Sequence, residues 1–305
     1  MFAVDLQALN DDFSIPDHLS FAKGMDGLPV AEIRNVHGSA GISLYGGQVL
    51  TYRPAGATPV LWLSPNARYE PGRAIRGGIP VCWPWFGPHP HDRQKPDHGF
   101  ARTSLWRVWS AAAIEGGVTE LRLSLHDDAE TRRLWPHAFQ LRLVVSVGPT
   151  LTVELITRNI DAAPFAITAA LHSYIAVSDV GAIRIEGLDG RAYLDKPAGY
   201  ARRLQHGPVT FAGETDRIYL DTTGDSLIDD PGAGRRIRVA KAGSRTTVVW
   251  SPGPERARAM ADIGVDAWRG MVCVEAANTA DDAVLVPPGG EHRLRTIISV
   301  EALPD

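Results

Sequence analysis

The sequence predicts an all-β protein, a large antiparallel β-sandwich or barrel. Apolar and polar residues alternate in many short runs, and turn signals rich in Gly, Pro, Asn and Asp separate these runs. Only two windows, 128–135 and 254–263, have helical spacing, and both are short. Because no Pro-, Gly- or Ser-rich linker, fixed-period repeat or low-complexity segment divides the chain, we expect one domain over residues 1–305.

The predicted strands follow one another at short spacing. "LRLSLH" (121–126) and "LTVELITRN" (151–159) alternate in polarity, and "MVCVEA" (271–276) continues the series. Turn residues in "GPT", "NIDAAP", "DGR" and "DDPGAG" end individual runs. The complete set of predicted strands is 121–126, 151–159, 165–177, 183–188, 236–240, 246–250, 271–276 and 292–300.

The composition is that of an ordinary soluble protein. The chain has 305 residues, of which 44% are hydrophobic and 22% charged, and a formal net charge of −4. This balance gives no reason to expect nucleic acid or an anionic membrane as a partner. No stretch approaches the roughly 20 apolar residues of a membrane span, and the N-terminus lacks a signal-peptide pattern. Cys82 and Cys273 each lie in an apolar run, which is typical of buried thiols in a reducing cytoplasm. We expect a cytoplasmic protein.

Residues 76–102, "RGGIPVCWPWFGPHPHDRQKPDHGFAR", form a long segment with too much Pro and Gly for a helix or a central strand. Such segments in compact domains are usually either functional or disordered. Disorder is unfavourable here because the segment contains large aromatic residues. These are Trp83, Trp85, Phe86 and Phe100.

Two interpretations of this segment stay open. "WPWFGP" is compatible with a hydrophobic plug that closes one end of the sandwich. Alternatively, the glycines of "RGG" let the backbone approach a ligand closely, and Arg76 and Arg102 offer forked donors to an anion, preferably a phosphate. Aromatic rings beside polar donors suit a sugar, whose C–H faces are apolar. An anion clamp beside such rings indicates a sugar phosphate.

Polar residues inside apolar strands are the other candidates. His172 lies within "ITAALHSYIAV" and Glu275 within "GMVCVEAAN". A buried carboxylate costs several kcal/mol unless it is paired or its pKa rises, and a raised pKa suits a general base near neutral pH. The alternatives are a hydrogen-bonded structural histidine, an exposed glutamate at the strand end, and, for Asp216 in "GETDRIYL", a simple turn former.

The segments quoted above, together with others along the chain, resemble in their order the hexose-6-phosphate mutarotases (glucose-6-phosphate 1-epimerases), a branch of the aldose 1-epimerase superfamily. The resemblance covers nearly the whole chain. It begins at "GLPVAEIRNVHGSAGISLYGGQVLTYRP" and peaks at "RGGIPVCWPWFGPH" and "HGFARTSLW". It continues through "ALHSYIAV", "TDRIYLD", "VVWSP", "MADIG", "MVCVEAAN" and "VLVPPGGEHRLRTIISV". It implies the large antiparallel sandwich of the galactose mutarotases, with the sugar in a cleft on one sheet.

The resemblance also implies roles for four residues. The His of "LHSY", here His172, is the family's general acid, and the Glu of "VCVE", here Glu275, is its general base. The arginines of "RGG" and "HGFAR", here Arg76 and Arg102, bind the substrate and its phosphate. No metal and no redox cofactor are implied, the partner is a small-molecule hexose 6-phosphate, and the family is mostly monomeric.

Two further contacts and two departures complete the comparison with the family. The Asp of "TDRIY" contacts sugar hydroxyls and maps to Asp216, and the His of "HGFAR", His98, lines the same pocket. Some members place a ligand-contacting Gln just before "HGFAR", where this chain has Asp97, so that contact is not carried over. Relatives commonly read "WNPW" where this chain reads "WSPG", and Gly253 therefore leaves the rim of the cleft open to question.

The implied reaction needs one base and one acid. Removing the proton of the C1 hydroxyl while the ring oxygen O5 receives one opens the sugar to its aldehyde. Rotation about C1–C2 and reclosure then give the other anomer. Glu275 would deprotonate O1 while His172, as imidazolium, protonates O5. Positioned acid–base groups contribute roughly 10²–10⁴-fold, an adequate scale for a reaction that already proceeds slowly in water.

Three alternatives remain. A non-catalytic carbohydrate-binding sandwich would use the arginines and the aromatic rings but would need neither His172 nor Glu275. An epimerase of unphosphorylated aldoses would need both. A metal enzyme of the double-stranded β-helix type would need clustered ligands, and the pair His89 and His91 in "PHPH" lies in a Pro-rich loop without a nearby carboxylate at ligand spacing. The hexose preferred is not readable from the sequence.

Overall fold

The computed structural model describes residues 4–304, which form strands joined by short turns and only three short α-helices. Up to the middle of the chain the elements are α1 Leu6–Phe13, β1 Leu19–Lys23, β2 Pro29–Asn35, β3 Gly38–Ser43, β4 Gln48–Pro54, β5 Val81–Cys82, β6 Arg107–Ile114, β7 Val118–His126, α2 Ala129–Leu134, β8 Phe139–Val147, β9 Leu151–Asn159, β10 Phe165–Ile167, β11 Ala169–Leu171 and β12 Tyr174–Ala176. The later elements are β13 Arg184–Glu186, β14 Ala192–Asp195, β15 Ala201–Leu204, β16 Thr215–Tyr219, β17 Ser226–Asp230, β18 Arg235–Ala242, β19 Thr246–Ser251, α3 Gly253–Ala259, β20 Met271–Asn278, β21 Val284–Val286 and β22 Glu291–Ala302.

Two large antiparallel sheets make up the sandwich. One, which we call the site sheet, has the order β15-β14-β16-β19-β20-β11-β5, and β12 also pairs with β20. The other, the back sheet, has the order β13-β17-β18-β22-β9-β8-β7-β6. The strands β11 and β20 of the site sheet contact β22 of the back sheet, and β20 also contacts β18. The sheets therefore meet through their central strands.

Side-chain alternation places the core between the sheets. Strand β8 buries every second residue from Phe139 to Val147, and β7 follows the same pattern. Strand β20 differs, because all its residues from Met271 to Asn278 are buried. One of its faces meets the inter-sheet core, and the other is covered by neighbouring side chains of the site sheet and the loop above it. A strand buried on both faces is a rigid support for a functional side chain.

The remaining elements flank this sandwich. Strands β1–β4 form a separate antiparallel sheet that contacts β7 and β8 of the back sheet. Helix α2 begins at Asp128, whose Oδ1 accepts hydrogen bonds from the backbone N–H groups of Glu130 and Thr131, as an N-cap does. Between residues 4 and 304, no helix is both long and apolar enough to cross a membrane.

The structure confirms the all-β sandwich, and the strands predicted by alternation all recur within one to three residues of their expected ends, apart from one interval. That interval, 165–177, was expected as one strand but consists of β10, β11 and β12. The chain changes partners here, since β10 pairs with β21 while β11 and β12 pair with β20. Alternation did not identify helix α1 or several of the strands, which are β1–β6, β8, β14–β17 and β21.

Candidate active site

The floor of the candidate site is two rows of side chains across the site sheet. Residues directly opposite one another in adjacent strands point to the same face. Cys273 of β20 lies opposite Tyr174 on one side and Trp250 on the other, and Trp250 in turn lies opposite Asp216. Glu275, two residues along the same strand, belongs to the next row. Strand register therefore brings together residues that are about 100 positions apart in sequence.

His172 and Glu275 form the centre of the site. His172 follows β11, and its Nε2 lies 3.3 Å from Oε1 of Glu275. Only 1% of Glu275 is exposed, so the expectation of an exposed glutamate at a strand end is wrong. The other carboxyl oxygen, Oε2, has no hydrogen-bond partner among the described residues. Buried polar atoms are nearly always paired, so this oxygen is an acceptor available to a ligand hydroxyl.

The surroundings of Glu275 and His172 favour the uncharged form of each side chain. Burial, reinforced by the negative charge of Asp216, raises the pKa of Glu275 well above its usual range. Burial and the nearby guanidinium groups of Arg102 and Arg76 hold the pKa of His172 well below its usual range. In the unliganded protein His172 is therefore neutral, whereas the sequence analysis assigned it the imidazolium form. A bound anion that offset the two guanidinium charges would raise this pKa, against the continuing effect of burial.

Arg76 is held in place by two partners. Its Nε donates to Oδ2 of Asp262 at 3.0 Å, and its Nη2 lies 2.9 Å from the same oxygen. Its Nη1 donates to the hydroxyl of Tyr174 at 2.8 Å. The ring of Tyr174 stacks on that of His172, so Arg76 is connected to the site through an aromatic side chain. Three guanidinium nitrogens of Arg76 are thus committed to protein partners.

Arg102 has more donors available. Its Nη2 donates to the backbone carbonyl of Asp97 at 2.7 Å, which is the hydrogen bond that the structure gives for this side chain. A guanidinium carries five N–H donors, so most of those of Arg102 remain for a ligand. The side chain of Asp97 is exposed, and the residue holds Arg102 through its backbone.

Asp216 is paired with a residue that the sequence analysis did not select. Its Oδ2 lies 2.7 Å from Nζ of Lys196, which follows β14, while its Oδ1 has no hydrogen-bond partner among the described residues. Burial raises the pKa of Asp216, and the ammonium of Lys196 opposes that rise. The free Oδ1 can accept a hydroxyl, as expected for a sugar contact. The signal for Lys196 was weak, because a lysine in "YLDKP" looks like an ordinary turn residue.

His98 is fixed by the loop that holds it. Its backbone N–H donates to the carbonyl of Gly87 at 2.7 Å, and its Nδ1 accepts from the N–H of Gly87 at 3.3 Å. Burial and the charge of Arg102 lower the pKa of His98 well below its usual range. A neutral His98 with Nδ1 as acceptor carries its proton on Nε2. Its ring lies 5.8 Å from that of His172 and 4.9 Å from that of Phe86.

Both interpretations of the loop 76–102 describe part of it. Trp83 is fully buried and packs against Phe100 and Phe139 in the core, as the plug interpretation expects. Phe86 instead lies on the site side, where the ammonium of Lys196 is 5.9 Å from its ring. The loop thus closes the core with one set of rings and places another ring, that of Phe86, beside His98 and Lys196.

The glycines of "RGG" have a different role from the one expected. A Cβ on Gly77 would lie 2.6 Å from the Cα of Leu63, and one on Gly78 would lie 2.1 Å from the carbonyl oxygen of Val49. Gly77 and Gly78 therefore allow the loop to pack closely against neighbouring backbone, rather than against a ligand as expected. Both residues also have positive φ, which favours glycine.

Gly253 is likewise explained by packing. It has a φ of +62°, and a Cβ there would lie 2.5 Å from the backbone nitrogen of Glu214. A tryptophan of the kind that relatives commonly carry does not fit at this position. The backbone of Gly213 and Glu214 occupies this part of the rim instead.

The structure thus brings all six sequence-predicted residues to one site, and His89 and His91 lie outside it. Their rings are 6.2 Å apart in the loop, and within residues 4–304 they do not belong to any group of three potential metal ligands. Sequence reasoning missed Lys196, Asp262 and the placement of Tyr174, because each acts through a partner distant in sequence.

Comparisons with known proteins identify the family of this chain. The sequence profile of the aldose 1-epimerase family matches residues 29–299. An Escherichia coli K12 protein with the provisional name glucose-6-phosphate 1-epimerase is 35% identical over 274 residues, covering 90% of this chain and 91% of its own length. A protein of Cenchrus ciliaris with the same provisional name is 36% identical over 272 residues, covering 85% and 80%.

Solved structures show the same fold. A crystal structure provisionally described as a mutarotase, YeaD of Salmonella typhimurium, superimposes with a TM-score of 0.88 at 33% identity, covering 95% of this chain and 96% of that one. A galactose mutarotase-like protein of Clostridium acetobutylicum has a TM-score of 0.73 at 13% identity, covering 96% and 100%, which supports the fold alone.

Proposed function

Because this chain belongs to the aldose 1-epimerase family, we propose that it interconverts the α and β anomers of a hexose 6-phosphate, chiefly glucose 6-phosphate. Epimerase activity comes with the family, whereas the phosphorylated substrate and the residue roles are our proposal. The observation that carries it is the buried pair His172–Glu275, with a free carboxyl oxygen, beside the guanidinium groups of Arg76 and Arg102.

The proposed reaction keeps one shared proton within the pair. With Glu275 as carboxylate and His172 as imidazolium, Glu275 takes the proton of O1 while His172 gives one to O5, and the C1–O5 bond breaks. The carboxylic acid and neutral imidazole that result have the same total charge as before. After rotation about C1–C2, Glu275 returns its proton to O1 while His172 takes the proton of the O5 hydroxyl, and the ring recloses as the other anomer. The buried surroundings disfavour a charged Glu275 and a charged His172 in the free protein. They therefore favour the state with a carboxylic acid and a neutral imidazole.

In this proposal the phosphate of the substrate supplies the negative charge that stabilises the imidazolium form of His172. A dianion held by Arg102, with Arg76 behind it, offsets the positive charges that lower the pKa of His172. Asp216 and the N–H of His98 would then hold the hydroxyl rim of the sugar. Binding at the phosphate fixes the register of C1 and O5 against the pair. A hexose without phosphate would leave His172 mostly without the proton that it has to give to O5.

Nuclear magnetic resonance magnetisation transfer between anomers tests this directly. We expect fast exchange for glucose 6-phosphate, slow exchange for glucose, and exchange at the uncatalysed rate with Glu275→Gln. Faster exchange of the free sugar would overturn the phosphate assignment and favour an epimerase of unphosphorylated aldoses. Sugar binding without exchange in the wild type would favour a carbohydrate-binding module.

A further inference from the structure

Cys273 adds a third donor to the pair of His172 and Glu275. One ligand atom from each of the three side chains lies within 4.8 Å of both others, and all three residues are buried. We infer that these residues form a Zn²⁺-binding site on the floor of the cleft, and that a bound ion blocks the acid–base pair.

The distances suit zinc with small adjustments. Three atoms no more than 4.8 Å apart have a centre that lies at most about 2.8 Å from each of them. Zinc bonds are about 2.0–2.2 Å to nitrogen and oxygen and about 2.3 Å to sulfur. Inward shifts of less than about 1 Å in three side chains would therefore complete the bonds. The fourth tetrahedral position remains for water, as in zinc sites with three protein ligands.

The backbone holds the three donors on one face. Cys273 and Glu275 are two residues apart on β20, so their side chains point to the same side of the sheet. His172 lies between β11 and β12, which both pair with β20. Since β20 is buried on both faces, this arrangement is present before any ion arrives. Such preorganisation favours binding because little has to be ordered.

The second, independent observation is the free carboxyl oxygen. Oε2 of Glu275 has no hydrogen-bond partner within residues 4–304, although only 1% of the residue is exposed. Charge also balances, because a thiolate and a carboxylate together neutralise a divalent ion. Two of the nearby cations are partly offset by their own carboxylates, whereas Arg102 donates to a backbone carbonyl. These pairs are Arg76–Asp262 and Lys196–Asp216.

The donor types determine which metal the site selects. A thiolate and an imidazole favour zinc and its chemical relatives, whereas Mg²⁺ and Ca²⁺ prefer sites made of oxygen ligands. Cys82, the other buried thiol, is not in the cluster and provides the matched control. The inference is thus specific to one of two cysteines.

A bound zinc ion would remove both catalytic lone pairs. Nε2 of His172 and the carboxylate of Glu275 would be occupied by the metal, and sugar O1 and O5 could not reach them. Inhibition would compete with the sugar. This consequence rests on the proposed function, whereas metal binding itself does not.

Cobalt, which replaces zinc and absorbs light, tests binding without reference to activity. Metal-stripped protein titrated with Co²⁺ should develop a thiolate-to-metal charge-transfer band at one equivalent. The band should persist in Cys82→Ser and disappear in Cys273→Ser. No band in the wild type, or a band that is unchanged in Cys273→Ser, would overturn the site.

Zinc inhibition then tests the consequence. We expect Zn²⁺ to inhibit anomer exchange, a chelator to reverse the inhibition, and Mg²⁺ to have no effect. Activity with and without zinc is compared within each variant. Cys273→Ser should raise the half-inhibitory zinc concentration by at least about tenfold, and Cys82→Ser should leave it unchanged. If the cobalt band forms but zinc does not inhibit, the block is wrong. If no substrate exchanges even without metal while the band forms, the proposed function fails and the binding site stands.

Discussion

Tyr174 and His172 lie with their rings nearly parallel, 4.8 Å apart between centroids and 11° between planes. Burial raises the pKa of Tyr174, so its hydroxyl stays protonated while it accepts the hydrogen bond of Arg76. His172 and Arg76 are thus held against one side chain.

Tyr174→Phe separates the stacking on His172 from the hydrogen bond with Arg76, because phenylalanine keeps the ring and loses the hydroxyl. A hydrogen bond to a charged group contributes about 1.5–3 kcal/mol, so kcat/KM for glucose 6-phosphate should fall roughly tenfold to a hundredfold. The stability of the fold should change much less. Steady-state kinetics with urea unfolding as control measure both, and unchanged kcat/KM would show that the hydroxyl does not position Arg76.

The two arginines should differ in what they contribute. Arg102 has donors to spare, so Arg102→Ala should weaken the use of glucose 6-phosphate by roughly one to two orders of magnitude and leave glucose nearly unaffected. Arg76 is committed to Asp262 and Tyr174, so Arg76→Ala should impair both substrates. Arg102→Lys should recover only part of the loss, because an ammonium lacks the planar fork. Equal losses on both substrates in Arg102→Ala would assign that residue to pocket shape.

Phosphate should change the protonation of His172. Arg102, Arg76 and, more weakly, Lys196 lower its pKa in the free protein in addition to burial. A dianion on the arginines acts in the opposite direction, so inorganic phosphate should raise the pKa of His172. Imidazole resonances followed across pH, with a metal chelator present, would show this. Arg102→Ala should raise the pKa without phosphate. An unchanged pKa at saturating phosphate would remove the proposed role of the substrate as counterion.

Glu275 and His172 should change the free energy of unfolding with pH in opposite directions. The pKa of Glu275 is raised, so above its ordinary value of 4.5 the folded state keeps a proton that the unfolded state loses, and stability falls as pH rises. The pKa of His172 is lowered, so stability falls as pH drops below 6.5. Glu275→Gln should therefore gain most over wild type at high pH, and His172→Asn at low pH. Urea midpoints across pH measure this, and parallel curves would contradict it.

Gly99 offers a test of the loop that holds His98. It has a φ of +72°, and a Cβ there would lie 1.9 Å from the carbonyl oxygen of Trp83. Gly87 has a similar φ of +79° but open space around it. Gly87→Ala should cost about 1–2 kcal/mol from backbone conformation alone. Gly99→Ala should cost roughly 1–3 kcal/mol more and reduce activity through displacement of the loop. Equal losses of stability would show that crowding at Gly99 is relieved cheaply.

Much of this molecule could be predicted from its sequence. Strand alternation sufficed for β7, where every second residue is buried. Strand β20 was found from a nearly continuous apolar run and is buried along its whole length. It failed at 165–177, where three short strands change partners, since period alone does not reveal which strand pairs with which. The first sheet, β1–β4, was also missed. Its positioning against the back sheet depends on long-range contacts rather than on local pattern.

At the site, residue type was more informative than position. His172 and Glu275 stood out because polar groups are costly in apolar strands. The assignment of roles came from family resemblance. Lys196 and Asp262 were not found, because an exposed-looking lysine or aspartate acquires meaning only from the partner opposite it. The glycines of "RGG" were misinterpreted for the same reason, since only the fold shows what a Cβ would strike.

The complete burial of β20 also bears on how the protein loses activity. Backbone amides in such a strand exchange with solvent mainly when the whole domain opens, whereas exposed loops exchange through local fluctuations. The carboxyl of Glu275 is therefore expected to keep its place until the molecule unfolds as a unit. On heating, inactivation and global unfolding should coincide, with no earlier stage in which an intact fold has lost the position of Glu275.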